Sequence, residues 1–490
     1  MNSKKIIALA IAVICSLVAL FLPAEYYHIQ NLSVVEQRVI ALFVFAALMW
    51  IGEAIPIWTT SVVVIVLMLL SISDSSIIFL RGENIEGMRA FGKLIKAKTI
   101  MATFADPIIM LFLGGFFLAI GAGKCGLDRN LARVLFKPFG NKSANVLLGL
   151  MFVTAIFSMF MSNTATAAMM FAVMAPVLAP MKDSGKGRIA LVLAIPIAAN
   201  VGGIGTPIGT PPNAIALKYL NDPEGLNLGI GFGQWMLVMT PFVIAIILLA
   251  WAILLRIFPF YRKELNISFD GKFEKSPKAY IVYATFIVTV LLWMCDKITG
   301  INSNVVAMIP IAVFCATGVI TKEDLKQINW DVLWLVAGGF ALSVGLKESG
   351  LAENMINSIP FGKWPPIETI IGAGLLCYAM STFISNTATT ALLVPVLATV
   401  ANGMEKAAEM SGGVSPLEAF GGVPTLLIGV ALSASFAMAL PISTPPNAIA
   451  HAVGLTTQKQ MASIGLIVGI VGLIFGYMLL FVLGGFKYFY

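Results

Sequence analysis

The sequence predicts an all-α polytopic membrane protein with about 11 transmembrane helices and two re-entrant hairpins, and three observations carry that reading. Of the 490 residues, 59% are hydrophobic and only 11% charged, whereas soluble domains carry about a quarter of their residues as Asp, Glu, Lys and Arg. Apolar runs of about 20 residues recur, the length a helix needs to cross roughly 30 Å of hydrocarbon. One polar stretch, Ser158-Met-Phe-Met-Ser-Asn-Thr-Ala-Thr166, is written again as Ser381-Thr-Phe-Ile-Ser-Asn-Thr-Ala-Thr389.

The elements follow in order. Residues 6–22 read as the first span. Lys4 and Lys5 precede it as in a signal peptide, but no small-x-small cleavage site follows, so it is retained. Spans at 37–52 and 57–73 flank Trp50-Ile-Gly-Glu-Ala-Ile-Pro56. After a polar segment, 74–106, comes a span at 107–122. Segments 143–180 and 366–400 are each long enough for two half-length helices back to back, with Ser-Asn-Thr at the turn. That is the pattern of a hairpin entering and leaving on one side. Residues 189–220 and 421–452 hold proline pairs and glycines in mid-span, which break a helix. They read as discontinuous, unwound near Gly202–Pro212 and Ala439–Pro446. Further spans fall at 234–255, 279–296, 302–320, 330–346 and 461–485.

The duplication extends beyond the hairpins. Leu113-Gly-Gly-Phe116 is echoed by Ala337-Gly-Gly-Phe340, and the Ser-Asn-Thr copies lie in almost the same register. Pro207-Ile-Gly-Thr-Pro-Pro-Asn-Ala-Ile-Ala216 recurs as Pro441-Ile-Ser-Thr-Pro-Pro-Asn-Ala-Ile-Ala450. With the N-terminus in the cytoplasm, 123–142, 181–188 and 256–278 lie inside with a dense set of basic residues, including Lys124, Arg129, Lys182, Arg262 and Lys272. The outside connections 221–230 and 401–420 are poor in them, as the positive-inside rule requires. Segment 74–106 falls outside yet carries Arg81, Arg89, Lys93, Lys96 and Lys98, against the rule. In this orientation the two hairpins enter from opposite sides, so the repeats are inverted, an arrangement typical of alternating-access carriers.

A run of hydroxyls and an amide at membrane depth is costly unless something binds there. A lone Ser or Thr in such a helix usually bonds the carbonyl four residues back or aids packing, but packing does not require identical polar tips beside broken helices. Unwinding frees carbonyls for a cation and exposes N–H groups at a half-helix start for an anion. The oxygens are hard and neutral, which suits Na⁺. Neither tip nor break holds an Asp, Glu, Lys or Arg, so an anion there would rely on hydroxyls, amides, N–H groups, helix dipoles and bound Na⁺.

Other features read more plainly. The net charge of +7 is dispersed between apolar spans, so it reads as loop charge facing a bilayer and not as a nucleic-acid surface. Cys15, Cys125, Cys295, Cys315 and Cys377 show no CxxC spacing and read as packing residues. The Gly202–Gly209 run lacks the Gly-Lys-Ser/Thr ending of a phosphate loop. His451 has Leu217 as its counterpart, so a packing or interfacial role is expected, and Glu53 reads as an interfacial or interhelical contact.

The doubled Ser-Asn-Thr, the Thr-Pro-Pro-Asn breaks and the Trp50–Pro56 run resemble the divalent anion/sodium symporter family of di- and tricarboxylate transporters, over nearly the whole chain. The resemblance implies a homodimer that works by an elevator motion. Residues 1–106 and 256–329 would be scaffold, and 107–255 and 330–490 the two inverted repeats that hold the mobile hairpins and broken helices. It implies one sodium site from Ser158, Ser162, Asn163 and the Gly209 carbonyl, and a second from Ser381, Asn386 and the main chain at Ile384 and Ser443. A dicarboxylate would lie between them on Ser162, Asn163, Thr164, Thr210, Ser385, Asn386, Thr387, Thr444 and Pro445.

The expectation is therefore a non-enzymatic Na⁺-coupled symporter of succinate, fumarate and malate, without an organic cofactor. It would sit in a bacterial-type inner membrane with its C-terminus outside. A dicarboxylate exchanger, or a sulfate or citrate carrier of the same fold, is the alternative. A membrane-embedded enzyme would need a nucleophile–base pair or metal set that two histidines and uncharged tips do not offer. A channel is disfavoured by the inverted repeats and discontinuous helices.

Overall fold

The computed structural model describes residues 3–82, 84, 89–178, 181, 185–223, 225–265, 274–358, 360, 363–410 and 412–489. Eighteen major helices organise it. They are α1 (Ser3–Phe21), α2 (Val34–Gly52), α3 (Ile57–Ser71), α4 (Pro107–Lys124), α5 (Leu127–Phe136), α6 (Ser143–Phe160), α7 (Asn163–Leu178), α8 (Lys186–Gly202) and α9 (Pro211–Leu220). Then follow α10 (Phe232–Ile257), α11 (Pro277–Met294), α12 (Met308–Ala316), α13 (Trp330–Glu348), α14 (Pro366–Phe383), α15 (Asn386–Met410), α16 (Gly422–Phe436), α17 (Pro445–Ala452) and α18 (Gln458–Gly485).

Among the described residues, 11 helices are long and apolar enough to cross a membrane. The number agrees with expectation, but the membership differs. Three of them, α6, α14 and α15, are hairpin arms. Three expected spans are shorter: α3, the interrupted pair Ser303–Val306 and α12, and the broken pair α16 and α17. The amphipathic α5 lies where only a charged connection was expected. It buries Asp128, Asn130, Ala132 and Phe136.

Hydrophobic burial drives little association between helices already in lipid, so close approach decides the packing. The echoed glycine pairs serve that purpose. A Cβ on Gly114 of α4 would stand 2.3 Å from the Ala307 carbonyl oxygen, and one on Gly338 of α13 would stand 2.4 Å from the Ser61 Cβ of α3. At the other extreme, α1 buries Ala12 alone and presents Ile6, Ile7, Ile14 and Phe21 outward.

Ion pairs mark the two faces. At the start of α4, Asp106 pairs with Lys218 at 2.5 Å, near Lys347–Asp222 at 3.3 Å and Lys93–Glu348 at 3.5 Å. At its end, Lys124 pairs with Asp324 at 2.5 Å. The first hairpin, α6–α7, is rooted on the Lys124 face, where the Ser143 hydroxyl donates to the Arg262 carbonyl at 2.6 Å. The second, α14–α15, is rooted on the opposite face, where the segment before it accepts from Gln30 N–H at the Ser358 hydroxyl, 2.8 Å. The hairpins thus enter from opposite faces.

The basic residues of 74–106 sit on the Asp106 face, and several are engaged with neighbouring oxygens. Arg89 donates to the carbonyls of Leu32 and Ser33 at 2.9 and 3.1 Å, Arg81 donates to the Ser76 carbonyl, and Lys93 meets Glu348. Charges held in this way help to fold the loop. Lys182 and Lys272 lie outside the described residues.

Asp324 lies in the connection before α13. Besides Lys124 it accepts from Thr321 N–H and hydroxyl at 2.7 and 2.8 Å. The Lys124 hydrogen bond foremost holds its carboxyl down at about 2. A depressed carboxylate stabilises the fold above its unfolded value of roughly 4 and loses that contribution as pH falls toward 2. Asp324→Asn should therefore lower the melting temperature in detergent by several degrees at pH 7. The gap to wild type should close as pH is taken from about 4 to 2, read by a thermal-shift series across pH.

Candidate functional site

Both hairpin tips have the same local geometry. The first arm ends at an extended residue, Met161 with φ −125° and ψ 160°, or Ile384 with φ −124° and ψ 160°. The next helix starts at the Asn of Ser-Asn-Thr. The breaks match as well: α9 and α17 each start on a proline pair after an extended Thr, with φ −148° and ψ 140° at Thr210 and φ −142° and ψ 148° at Thr444.

What holds each break open was not anticipated. The final amide of Thr-Pro-Pro-Asn folds back over the carbonyls that the interrupted helix leaves free. Asn213 Nδ2 donates to the carbonyls of Gly203, Ile204 and Thr206 at 3.0, 3.4 and 2.8 Å. Asn447 Nδ2 donates to those of Met438 and Leu440 at 2.7 and 3.0 Å. A hydroxyl then ties each break to its hairpin. Thr206 donates to the Met159 carbonyl, and Ser443 donates to the equivalent Thr382 carbonyl at 2.7 Å.

The tips and breaks meet around one cavity of about 730 Å³, within the range of small-molecule sites. Of the residues expected at the site, Ser162, Asn163, Thr164, Gly209, Thr210, Ser385, Asn386, Thr387, Ser443, Thr444 and Pro445 line it. Ser158, Ser381 and Ile384 lie behind the tips, buried and off the cavity surface. Four helix starts, those of α7, α9, α15 and α17, face the space and bring the positive ends of their dipoles to it. Among the described residues its lining includes no Lys, Arg or His, and its acidic members are Glu53 and Asp331.

The lining extends to Glu53, Pro56, Asn329 and Asp331, so the cavity opens toward the Lys124–Asp324 face. Glu53, read as an interfacial or interhelical contact, stands at this mouth with φ +41°. His451 is exposed and off the lining.

Behind the first tip, oxygens converge. The Ser158 hydroxyl donates to the Ala199 carbonyl at 2.7 Å and stands 2.6 Å from the Oδ1 end of the Asn163 amide. The same end of the Asn163 amide stands 3.3 Å from the Ala199 carbonyl and 3.2 Å from that of Gly209. Two arrangements satisfy this cluster. The amide can turn its NH₂ toward the oxygens, or a cation can sit among them with Asn163 Oδ1 as a ligand. The cluster is tight, because a Cβ at Gly209 would lie 2.5 Å from the Gly203 carbonyl oxygen. Behind the second tip, Asn386 Oδ1 is buried without a hydrogen-bond partner among the described residues, a costly state for a polar atom, and Ser381 Oγ is buried beside Cys377.

Asn200, like Asn329 and Asp331, is a polar member of the lining that sequence reasoning passed over. It stands alone as an amide in the apolar run Ile195–Val201, and that isolation was the available signal. Asn213 and Asn447 were visible in the repeat, but no role was attached to them.

The chain compares with known proteins as follows. A family model described as citrate transporter matches residues 45–420. A Haemophilus influenzae protein described as an uncharacterized transporter is 31% identical, over 88% of this chain and 88% of its own. The sodium-dependent dicarboxylate transporter SdcS of Staphylococcus aureus is 29% identical, over 92% of this chain and 86% of its own. Among solved structures, MtrF of Neisseria gonorrhoeae, described within a class of antimetabolite efflux pumps, aligns with a TM-score of 0.50 at 13% identity. It covers 87% of this chain and 94% of that one, a likeness of fold alone.

The two amides that close the breaks should be structural in effect. Asn213→Ala takes the donor from the Gly203 carbonyl and Asn447→Ala from that of Met438, while Ile204 keeps Trp235 Nε1, Thr206 the Gly209 N–H and Leu440 the Ser443 N–H. Each change should therefore cost about 1–3 kcal/mol of stability. Denaturant unfolding of the purified protein measures this, and a loss below half a kcal/mol would refute the role.

Proposed function

The chain belongs to the citrate transporter family, and from that premise we propose that it is a Na⁺-coupled symporter of C4-dicarboxylates such as succinate, fumarate and malate. The observation that carries this is the single cavity on which both Ser-Asn-Thr tips and both broken-helix starts converge. A cavity without cationic side chains can hold a dianion only through N–H groups, hydroxyls, helix dipoles and bound cations. The oxygen clusters behind the tips offer places for those cations, and the sodium dependence in the name of the Staphylococcus relative supports that reading.

In this reading Ser158, Ser162, Asn163 and the Gly209 carbonyl hold one Na⁺, and Ser381, Asn386 and the main chain at Ile384 and Ser443 hold another. The dicarboxylate spans Ser162, Asn163, Thr164 and Thr210 on one side and Ser385, Asn386, Thr387, Thr444 and Pro445 on the other. Asn163 and Asn386 serve ion and substrate together, which couples the two bindings. Residues 1–106 and 256–329 form the scaffold of a homodimer, and the repeats at 107–255 and 330–490 carry the cavity across the membrane as an elevator. With the N-terminus in the cytoplasm and the C-terminus outside, the cavity here faces inward.

The family description favours citrate as the rival cargo. Proteoliposomes separate the readings: uptake of succinate over citrate, driven by an inward Na⁺ gradient into empty vesicles, is expected. Uptake that needs internal dicarboxylate and ignores Na⁺ would identify an exchanger instead. Asn163→Ala and Asn386→Ala should each reduce uptake at least a hundredfold while the protein still inserts and purifies normally. Wild-type rates in both variants would remove the tips from the mechanism.

A further inference from the structure

The two broken helices repeat each other, but the amide of Asn200 has no counterpart. Asn200 of α8 is buried at 1% exposure and reaches across to the break of the other repeat. The position that matches it in α16, 234 residues on as for Thr210 and Thr444, is Ala434.

Local hydrogen bonds determine which way each amide points. Asn447 spends its NH₂ on the carbonyls of Met438 and Leu440, so its Oδ1 faces Asn200. Asn200 must then present its own NH₂, and it donates to Asn447 Oδ1 at 3.4 Å and to Thr444 Oγ1 at 3.1 Å. Thr444 Oγ1 also accepts from Asn447 N–H at 3.4 Å. A hydroxyl has two lone pairs and one proton. With both lone pairs taken, Thr444 has only its O–H left to offer, and it lines the cavity.

Thr210, at the matching place, receives neither bond: its side chain makes no cap, and Asn213 Oδ1 has no partner. The two ends of a nearly symmetric cavity therefore differ. At one the hydroxyl is free to donate or accept; at the other it can only donate.

We propose that Asn200 is a positioning residue that fixes the Thr444 hydroxyl as a donor and makes that end of the cavity a preset carboxylate socket. The Thr210 end is then the adaptable one, where cargoes with a hydroxyl or a bulkier acid group are told apart. This rests on the dicarboxylate-transport reading above.

A double-mutant cycle on succinate uptake tests it. Asn200→Ala places there the residue that Ala434 already is, and Asn200→Leu roughly keeps the volume. Each should raise KM for succinate about 5- to 10-fold, with the maximal rate within about twofold and the Na⁺ dependence unmoved. Added to Thr444→Val, either change should weaken uptake no further. Added to Thr210→Val, the effects should multiply. Multiplication with Thr444→Val, or a fall in maximal rate at unchanged KM in both Asn200 variants, would overturn the assignment. Wild-type protein that takes up no succinate would overturn the transport reading itself, before any variant is compared.

Discussion

A backbone polar group inside a bilayer has no water to turn to, and this one constraint shapes the molecule. Two helices stop at membrane depth and start again, which leaves carbonyls facing one way and N–H groups the other. The carbonyls are taken by amides that return from the next half-helix, Asn213 in one repeat and Asn447 in the other. Proline at the restart removes N–H groups that would otherwise need partners. With that done, the interruption becomes a stable feature, and the remaining N–H groups are free to face a cavity.

Helix starts and helix ends then do different work. Four starts surround the central space and favour negative charge there. The ends of α6 and α8 leave the Ala199 carbonyl beside Ser158 and Asn163, where positive charge is favoured. Opposite polarities are thus built a few ångströms apart from neutral groups alone. In the proposed cycle this proximity makes ion and dianion bind better together than apart, since each offsets the field of the other.

The repeats are alike in backbone and unequal in side chains. The first break is packed around Gly203 and Gly209, where a Cβ would strike neighbouring oxygens, and the second has Ala437 and Ser443 in those places. Thr206 and Ser443 tie their breaks to the hairpins from different positions in the loop. Asn200 bridges the repeats in one direction only. A site for a cargo with two similar ends can thus still have two distinguishable halves.

Periodicity, composition and self-similarity are local properties of the chain, and what depends on them was legible: the helical membrane class, the two hairpins, the two breaks and the family. Glycine pairs 114–115 and 338–339 could be seen to repeat, but that they mark where α4 meets Ala307 and α13 meets Ser61 depends on which helices become neighbours. The amphipathic helix Leu127–Phe136 was hidden by its charges, because buried positions interleaved with basic residues resemble a loop when only charge is counted. The sequence alone determined that polar tips and broken helices would lie at membrane depth, because apolar runs and proline pairs impose this wherever the chain goes. Only the tertiary structure decided that the tips face one another across a shared cavity, that the cavity opens toward Glu53 and Asp331, and that Asn200 reaches Thr444. Those facts join residues more than 200 positions apart, and no local pattern encodes a distance between them.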